Sequence, residues 1–159
     1  GLINSIPCYM CARMRRGHLY KIAKDLGCNK IALGHHYNDV IETILLGMFY
    51  NGEIVSMLPK IKSKNFLGME LIRPLYLVRE ASIYNWMNYN NLKFINCACP
   101  LKQEDSKRKE IKELIKELKK TNKYIEYNIF KSVENVNINQ IMGYYDFDKR
   151  YNYYDDYEK

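Results

Sequence analysis

Lys30 to Leu33 is a short apolar run that stops at Gly34 and gives way at once to His35, His36 and the start of a helix. No other stretch constrains the fold as much. A buried strand that ends on glycine and feeds a helix belongs to a parallel sheet with covering helices, because parallel strands need a crossover on each side. The flanking patterns agree. From Tyr9 to Leu26, the residues Leu19, Ile22, Ala23 and Leu26 form an i, i+3, i+4, i+7 stripe, and Gly27 supplies a stop. Asn38 or Asp39 can cap a second helix running to about Tyr50, where Asn51 and Gly52 end it.

The pattern continues with a strand over Met69 to Leu75, closed by Pro74, and a helix over Glu80 to Tyr89 with Trp86 on its apolar side. Lys93 to Asn96 is extended and leads into Cys97, Ala98, Cys99 and Pro100. Ser106 to Lys120 predicts a charged helix with Ile111, Leu114, Ile115 and Leu118 as one narrow apolar stripe, followed by a helix over about Tyr124 to Glu134. Residues 144–159 hold six of the fifteen tyrosines among acids and asparagine, and are expected to be a loosely ordered acidic tail. Two strands cannot cover both faces of their helices. Either the chain pairs with itself as a homodimer, or further strands lie upstream of Gly1; the second is the expectation, since the chain opens without Met.

Charge narrows the partners. The net charge is +7, yet residues 144–159 carry five acids against three bases, which leaves +9 on residues 1–143. A basic body suits a polyanion, because each neutralised phosphate releases counterions; a lysine-rich composition accounts for the charge equally well. No apolar run approaches the roughly 20 residues that cross a bilayer, and no signal-peptide pattern is present, so a cytoplasmic location is expected. In a reducing compartment the five cysteines read as metal ligands or reactive groups rather than as disulfides, with Cys28 as a small buried residue in a turn.

Three constellations carry chemistry. Cys8 and Cys11, at a helix start, put two thiols on one side of a turn, where free amides favour thiolate. Cys97 and Cys99 supply a second thiol source; four thiols allow a zinc site, whereas three on a four-iron cluster leave one iron open. Next, the segment from Gly34 to Thr43 lies at the carboxyl edge of a parallel sheet, where open α/β folds bind nucleotides. His35 and His36 read best as a pocket wall. Asp39 is either a Mg²⁺ ligand or reactant-orienting group, or a plain helix cap; Glu42 supports the helix start. Last, Arg13, Arg15 and Arg16 can clamp phosphates and offset developing charge, or form an exposed helix face.

Taken in order, Pro7-Cys8-x-x-Cys11-x-Arg13-x-Arg15-Arg16-Gly17 and Lys30-Ile31-Ala32-Leu33-Gly34-His35-His36-x-x-Asp39 resemble the tRNA 2-thiocytidine synthetases of the PP-loop (N-type ATP pyrophosphatase) superfamily. Met48-Phe49-Tyr50, Met57-Leu58-Pro59-Lys60, Leu71-Ile72-Arg73-Pro74-Leu75 and Ile95-Asn96-Cys97 continue the likeness, which covers about Pro7 to Cys99. The resemblance implies an α/β fold, part of an adenine nucleotide alpha hydrolase-like (Rossmann-like) sheet, with residues 1–143 as the carboxy-terminal portion of a PP-loop ATPase domain. It implies ATP-dependent sulfur transfer to a tRNA base through an adenylated intermediate. The cofactors would be a [4Fe-4S] cluster on Cys8, Cys11 and Cys97, together with ATP and Mg²⁺. Asp39 and Arg15 would be catalytic; Gly34, His35 and Arg73 would belong to the ATP and substrate pocket. The partners would be tRNA and a sulfur donor, either a cysteine desulfurase or sulfide.

The chain departs from that family in three places. The pyrophosphate-cradling Ser-Gly-Gly-x-Asp-Ser loop is absent and is expected upstream of Gly1. The usual pair of aspartates after the histidines is Asn38-Asp39, which puts Mg²⁺ binding and the cytidine substrate in question. Cys97-Ala98-Cys99 replaces a C-x-x-C, so Cys99 can stand in for Cys97. Two rival readings remain: another PP-loop tRNA-modifying enzyme such as a lysidine synthetase, and a zinc-stabilised RNA-binding module.

Overall fold

The computed structural model describes residues 7–94 and 106–157. The chain runs α1 (Pro7–Asp25), β1 (Lys30–Ala32), α2 (Tyr37–Leu46), β2 (Lys60–Lys62), β3 (Glu70–Ile72), α3 (Glu80–Tyr89), α4 (Ser106–Thr121), α5 (Ile125–Ser132), β4 (Gly143–Asp146), β5 (Lys149–Asn152) and α6 (Tyr153–Tyr157). A π-helical turn, Gly47–Asn51, prolongs α2, and a 3-10 turn, Ile138–Gln140, precedes β4. The α/β class expected from the sequence is the one observed.

The helix stops are chemical. After α1, Gly27 adopts φ 71°, and the amides of Gly27 and Cys28 donate to the carbonyls of Lys24 and Ala23 at 3.0 and 2.8 Å. That pair of bonds satisfies orphan carbonyls of the last turn, and glycine alone takes this φ without strain. Gly52, at φ 66°, closes the π-turn in the same left-handed conformation.

The first sheet has the order β1-β3-β2. β1 and β3 are parallel, with Lys30, Ile31 and Ala32 opposite Glu70, Leu71 and Ile72. β2 is antiparallel to β3, with Lys60 opposite Ile72. β2 carries no signal at the level of sequence: Lys60-Ile61-Lys62 is wholly exposed and too short for alternation to register. Nor is β1 a buried strand, since only Ile31 in it is even partly covered. The apolar stripe of α1 is open as well; Leu19, Ile22 and Leu26 are exposed, and Tyr20, stacked on Phe66 at 4.8 Å, supplies its aromatic contact.

The core is helical instead. Tyr37, Val40, Ile41, Ile44 and Leu45 of α2 pack with Ile111 and Ile115 of α4 and Phe130 of α5. Val40, Ile41 and Ile44 are fully buried, and each such side chain contributes about 1.5–3 kcal/mol. Tyr37 stacks on Phe130 at 4.8 Å and its hydroxyl donates to the Glu126 carbonyl at 3.0 Å. Ile111 and Ile115 confirm the expected α4 stripe, while Leu118 at its far end is exposed. In α3 the half-buried apolar residues are Ile83 and Met87, one turn apart, beside half-buried Glu80; Trp86, placed on the apolar side by the sequence, points outward.

Two further expectations change. Cys28 is exposed, because its backbone rather than its side chain closes the α1 turn. The segment expected to be loose folds as a hairpin and a short helix: β4 pairs antiparallel with β5, Tyr144 opposite Tyr151 and Tyr145 opposite Arg150. The Tyr144 and Tyr151 rings stack at 4.7 Å, and cross-strand aromatic pairs of this kind are what hold a small hairpin. Gly143, the last residue assigned to the body by composition, is already the first residue of β4.

Candidate nucleotide site and its comparison with known proteins

The carboxyl ends of β1 and β3 lie side by side, because the two strands are parallel and in register. The hydrogen bond from the Leu33 amide to the Ile72 carbonyl, 2.9 Å, extends the pairing one residue further. From this edge the chain delivers Gly34, His35 and His36 on one strand end and Arg73 on the other. The space around Gly34 where a side chain would stand is empty to 4 Å, so a ligand can approach its backbone closely.

His35 and Arg73 are coupled. The Arg73 Nε–H donates to His35 Nδ1 at 3.3 Å, and its Nη1 donates to the Leu58 carbonyl. An imidazole that accepts at Nδ1 carries its proton on Nε2. Burial, then the Arg73 charge, hold the His35 pKa below the usual histidine value, with Asp39 pulling the other way. Burial likewise lowers the Arg73 pKa. Neutral His35 therefore presents a donor, and Arg73 keeps further N–H groups for an anion.

Asp39 is the third residue of α2 and caps it: its Oδ2 accepts the His36 amide at 2.9 Å, with His36 Nε2 at 3.4 Å from the same oxygen. Its Oδ1 meets Arg108 Nη1 of α4 at 3.2 Å. Asn38 faces elsewhere, its Oδ1 accepting the Glu80 amide at the start of α3 at 3.0 Å. Asparagine at this position therefore caps the neighbouring helix, a task needing an acceptor and not a charge. Glu42 is buried between Arg108, 3.6 Å away, and Lys112, 3.7 Å away. Burial raises its carboxyl pKa against the opposing pull of Lys112 and Arg108. Glu126 of α5 is similarly enclosed by Arg79 and by Lys119 at 3.0 Å.

Arg108, Lys112 and Glu126 escaped the sequence reading. The available signal was the i, i+4 spacing of Arg108 and Lys112 alongside Ile111 and Ile115, which places two cations at the rim of the apolar stripe.

The remaining expected site residues are on α1 or lie outside the described residues. Arg15 is exposed on α1, as are Arg13 and Arg16. Cys8 and Cys11 fall in the opening turns of α1, but their side chains, and Cys97 and Cys99 altogether, lie outside the described residues. Among the described residues no three His, Cys, Asp or Glu side chains group as a metal site. No described helix is long and apolar enough to cross a membrane.

The chain is similar to known proteins over most of its length. The chain is 39% identical over 134 residues to the tRNA-cytidine(32) 2-sulfurtransferase of Geobacter metallireducens, covering 84% of this chain and 52% of that protein. It is 40% identical over 134 residues to the enzyme of the same name from Geotalea uraniireducens, covering 84% and 53%. For that of Coxiella burnetii the figures are 39% over 137 residues, 86% and 53%. The chain thus spans about half the length of the curated relatives it matches. Among solved structures, the U34-tRNA thiolase NcsA from Methanococcus maripaludis with its [4Fe-4S] cluster shares the fold, with a TM-score of 0.66 at 23% identity over 84% of this chain and 44% of that one. Residues 10–118 match the model of the PP-loop domain, well over half of the chain, and the protein belongs to that family.

Proposed function

We propose that this chain is the part of an ATP-dependent tRNA sulfurtransferase that presents ATP and the target cytidine to the sulfur source. The observation that carries the reading is the Gly34, His35 and Arg73 edge, with Asp39 one helical turn behind it, in a chain about 40% identical to enzymes named for thiolating cytidine 32 of tRNA. The cytidine O2 attacks the α-phosphorus of ATP and pyrophosphate leaves. Sulfur then attacks C2, the C2–O bond breaks, and AMP departs with the electron pair.

Each residue has a share in this. The bare Gly34 backbone lets the nucleotide lie against the strand end. His35 Nε2–H and the spare Arg73 donors face the phosphates and steady charge as it develops. Asp39, fixed at both oxygens, orients the reacting group. Arg15 offsets negative charge as AMP leaves. Both Asp39 oxygens already hold donors, so Mg²⁺ is assigned here to the ATP phosphates and not to this carboxylate. The three-thiolate donor set of Cys8, Cys11 and Cys97 suits a [4Fe-4S] cluster, which when bound supplies an open iron for inorganic sulfur. The reading brings with it RNA binding by the basic body, a cytoplasmic site of action, and sulfide or a cysteine desulfurase as donor. A second copy of the chain is the other candidate to cover the open face of α1.

The test uses the full-length gene product, purified without oxygen. The preparation should be brown, hold iron and sulfide in about a 4:4 ratio, and form 2-thiocytidine in unmodified tRNA when given ATP and sulfide, as read by mass spectrometry of digested nucleosides. Colourless protein with one zinc per chain and no thiolated nucleoside overturns it in favour of the zinc module. ATP-dependent activity that survives Cys8→Ser points instead to a thiol-independent PP-loop enzyme such as a lysidine synthetase.

A further inference from the structure

The Asp39 carboxylate is held from two elements. Oδ2 is taken by the His36 amide at 2.9 Å, with His36 Nε2 at 3.4 Å, all within the first turn of α2. Oδ1 has its described partner on a different helix, Arg108 Nη1 at 3.2 Å. The terminal torsion of an aspartate is broad, so the rotamer alone does not set the plane of the carboxylate. One anchor leaves that plane free to swing; the second fixes it. Arg108 is half-buried, in the opening turn of α4, and its Nε sits 3.6 Å from Glu42 Oε2.

A purely structural account of Arg108 is already covered by its neighbour. Lys112, one turn along α4, reaches Glu42 Oε1 at 3.7 Å and Glu80 Oε1 at 3.4 Å, and so ties α4 to both α2 and α3 without touching Asp39. The contact particular to Arg108 is the one to Asp39 Oδ1. We propose that Arg108 is a positioning residue for the sulfur-transfer reaction, setting the plane of the Asp39 carboxylate at the nucleotide edge from across the α2–α4 interface. The inference rests on reading Asp39 as a catalytic residue.

Steady-state thiolation by the full-length enzyme tests both ideas separately. Arg108→Ala should lower kcat by about ten- to a hundredfold, the scale of a misplaced reacting group. KM for ATP and tRNA should stay within about threefold, because the ground-state contacts at Gly34, His35 and Arg73 are untouched. Arg108→Lys, which restores one donor, should recover part of kcat, and Arg108→Gln serves should the alanine variant not fold. Asp39→Asn should be at least as slow as Arg108→Ala, and the double variant no slower than Asp39→Asn alone, since the arginine acts through the carboxylate. Lys112→Ala is the control: it should lower the melting temperature and leave kcat unchanged.

An Arg108→Ala enzyme with full kcat beside an inactive Asp39→Asn overturns the positioning role and leaves the catalytic reading intact. Losses that multiply in the double variant also overturn it, as does a Lys112→Ala enzyme as slow as Arg108→Ala, which would assign the effect to loosened helix packing. An active Asp39→Asn removes the catalytic reading of Asp39, and the positioning role with it.

Discussion

At the scale of single residues, the site is a set of polar groups whose state is fixed by their neighbours. His35 is the clearest case. Burial and the Arg73 guanidinium hold its pKa below the ordinary value, so the folded protein resists protonating it while the unfolded chain, with a pKa of about 6.5, does not. Between those two values the unfolded state binds more protons, and stability falls as pH falls below about 6.5. Urea melts from about pH 7.5 down to pH 5 should show that slope, and His35→Gln should flatten it. A slope of equal size in the His35→Gln variant would assign the effect to other groups. Asn38 is a related case: its side-chain oxygen accepts the Glu80 amide, chemistry that an asparagine performs as well as an aspartate.

Among the elements, α2 is the pivot. Its apolar face meets α4 and α5, while its first turn meets the candidate nucleotide edge, so packing and site geometry share one helix. Ile111→Ala should therefore cost about 2–5 kcal/mol in equilibrium unfolding, the range for emptying a well-packed core position. Glu42 behaves differently. Its carboxyl pKa is raised chiefly by burial, so ionised Glu42 opposes folding above that pKa, and stability rises as pH falls through it towards the ordinary glutamate range. Glu42→Gln should accordingly hold or raise the thermal midpoint near neutral pH. Glu42→Ala, which leaves Arg108 and Lys112 facing a gap, should lose about 1–3 kcal/mol. A Gln variant as unstable as the Ala variant would show that the ion pairs outweigh desolvation.

For the whole molecule, the proposed cluster turns on whether Cys97 or Cys99 supplies the thiolate beside Cys8 and Cys11. In the full-length protein, Cys97→Ser is expected to abolish bound iron and visible colour while Cys99→Ser keeps both, by iron and sulfide analysis after anaerobic purification; the reverse pattern transfers the role to Cys99. The sequence by itself determined the alternation of helix and strand, the stops at Gly27 and Gly52, the full span of α3, and the edge carrying Gly34 and His35. Those follow from local rules of periodicity, glycine conformation and strand-to-helix order, which act over a few residues. Tertiary structure alone decided what lies far apart in the chain: that Arg73 binds His35, that Arg108 reaches Asp39 sixty-nine residues away, that exposed β2 joins the sheet, and that the tyrosines of the tail pair across a hairpin. The reason is physical. Such pairings depend on which faces the three-dimensional packing brings together, and a linear pattern of charges and rings is compatible with many of them.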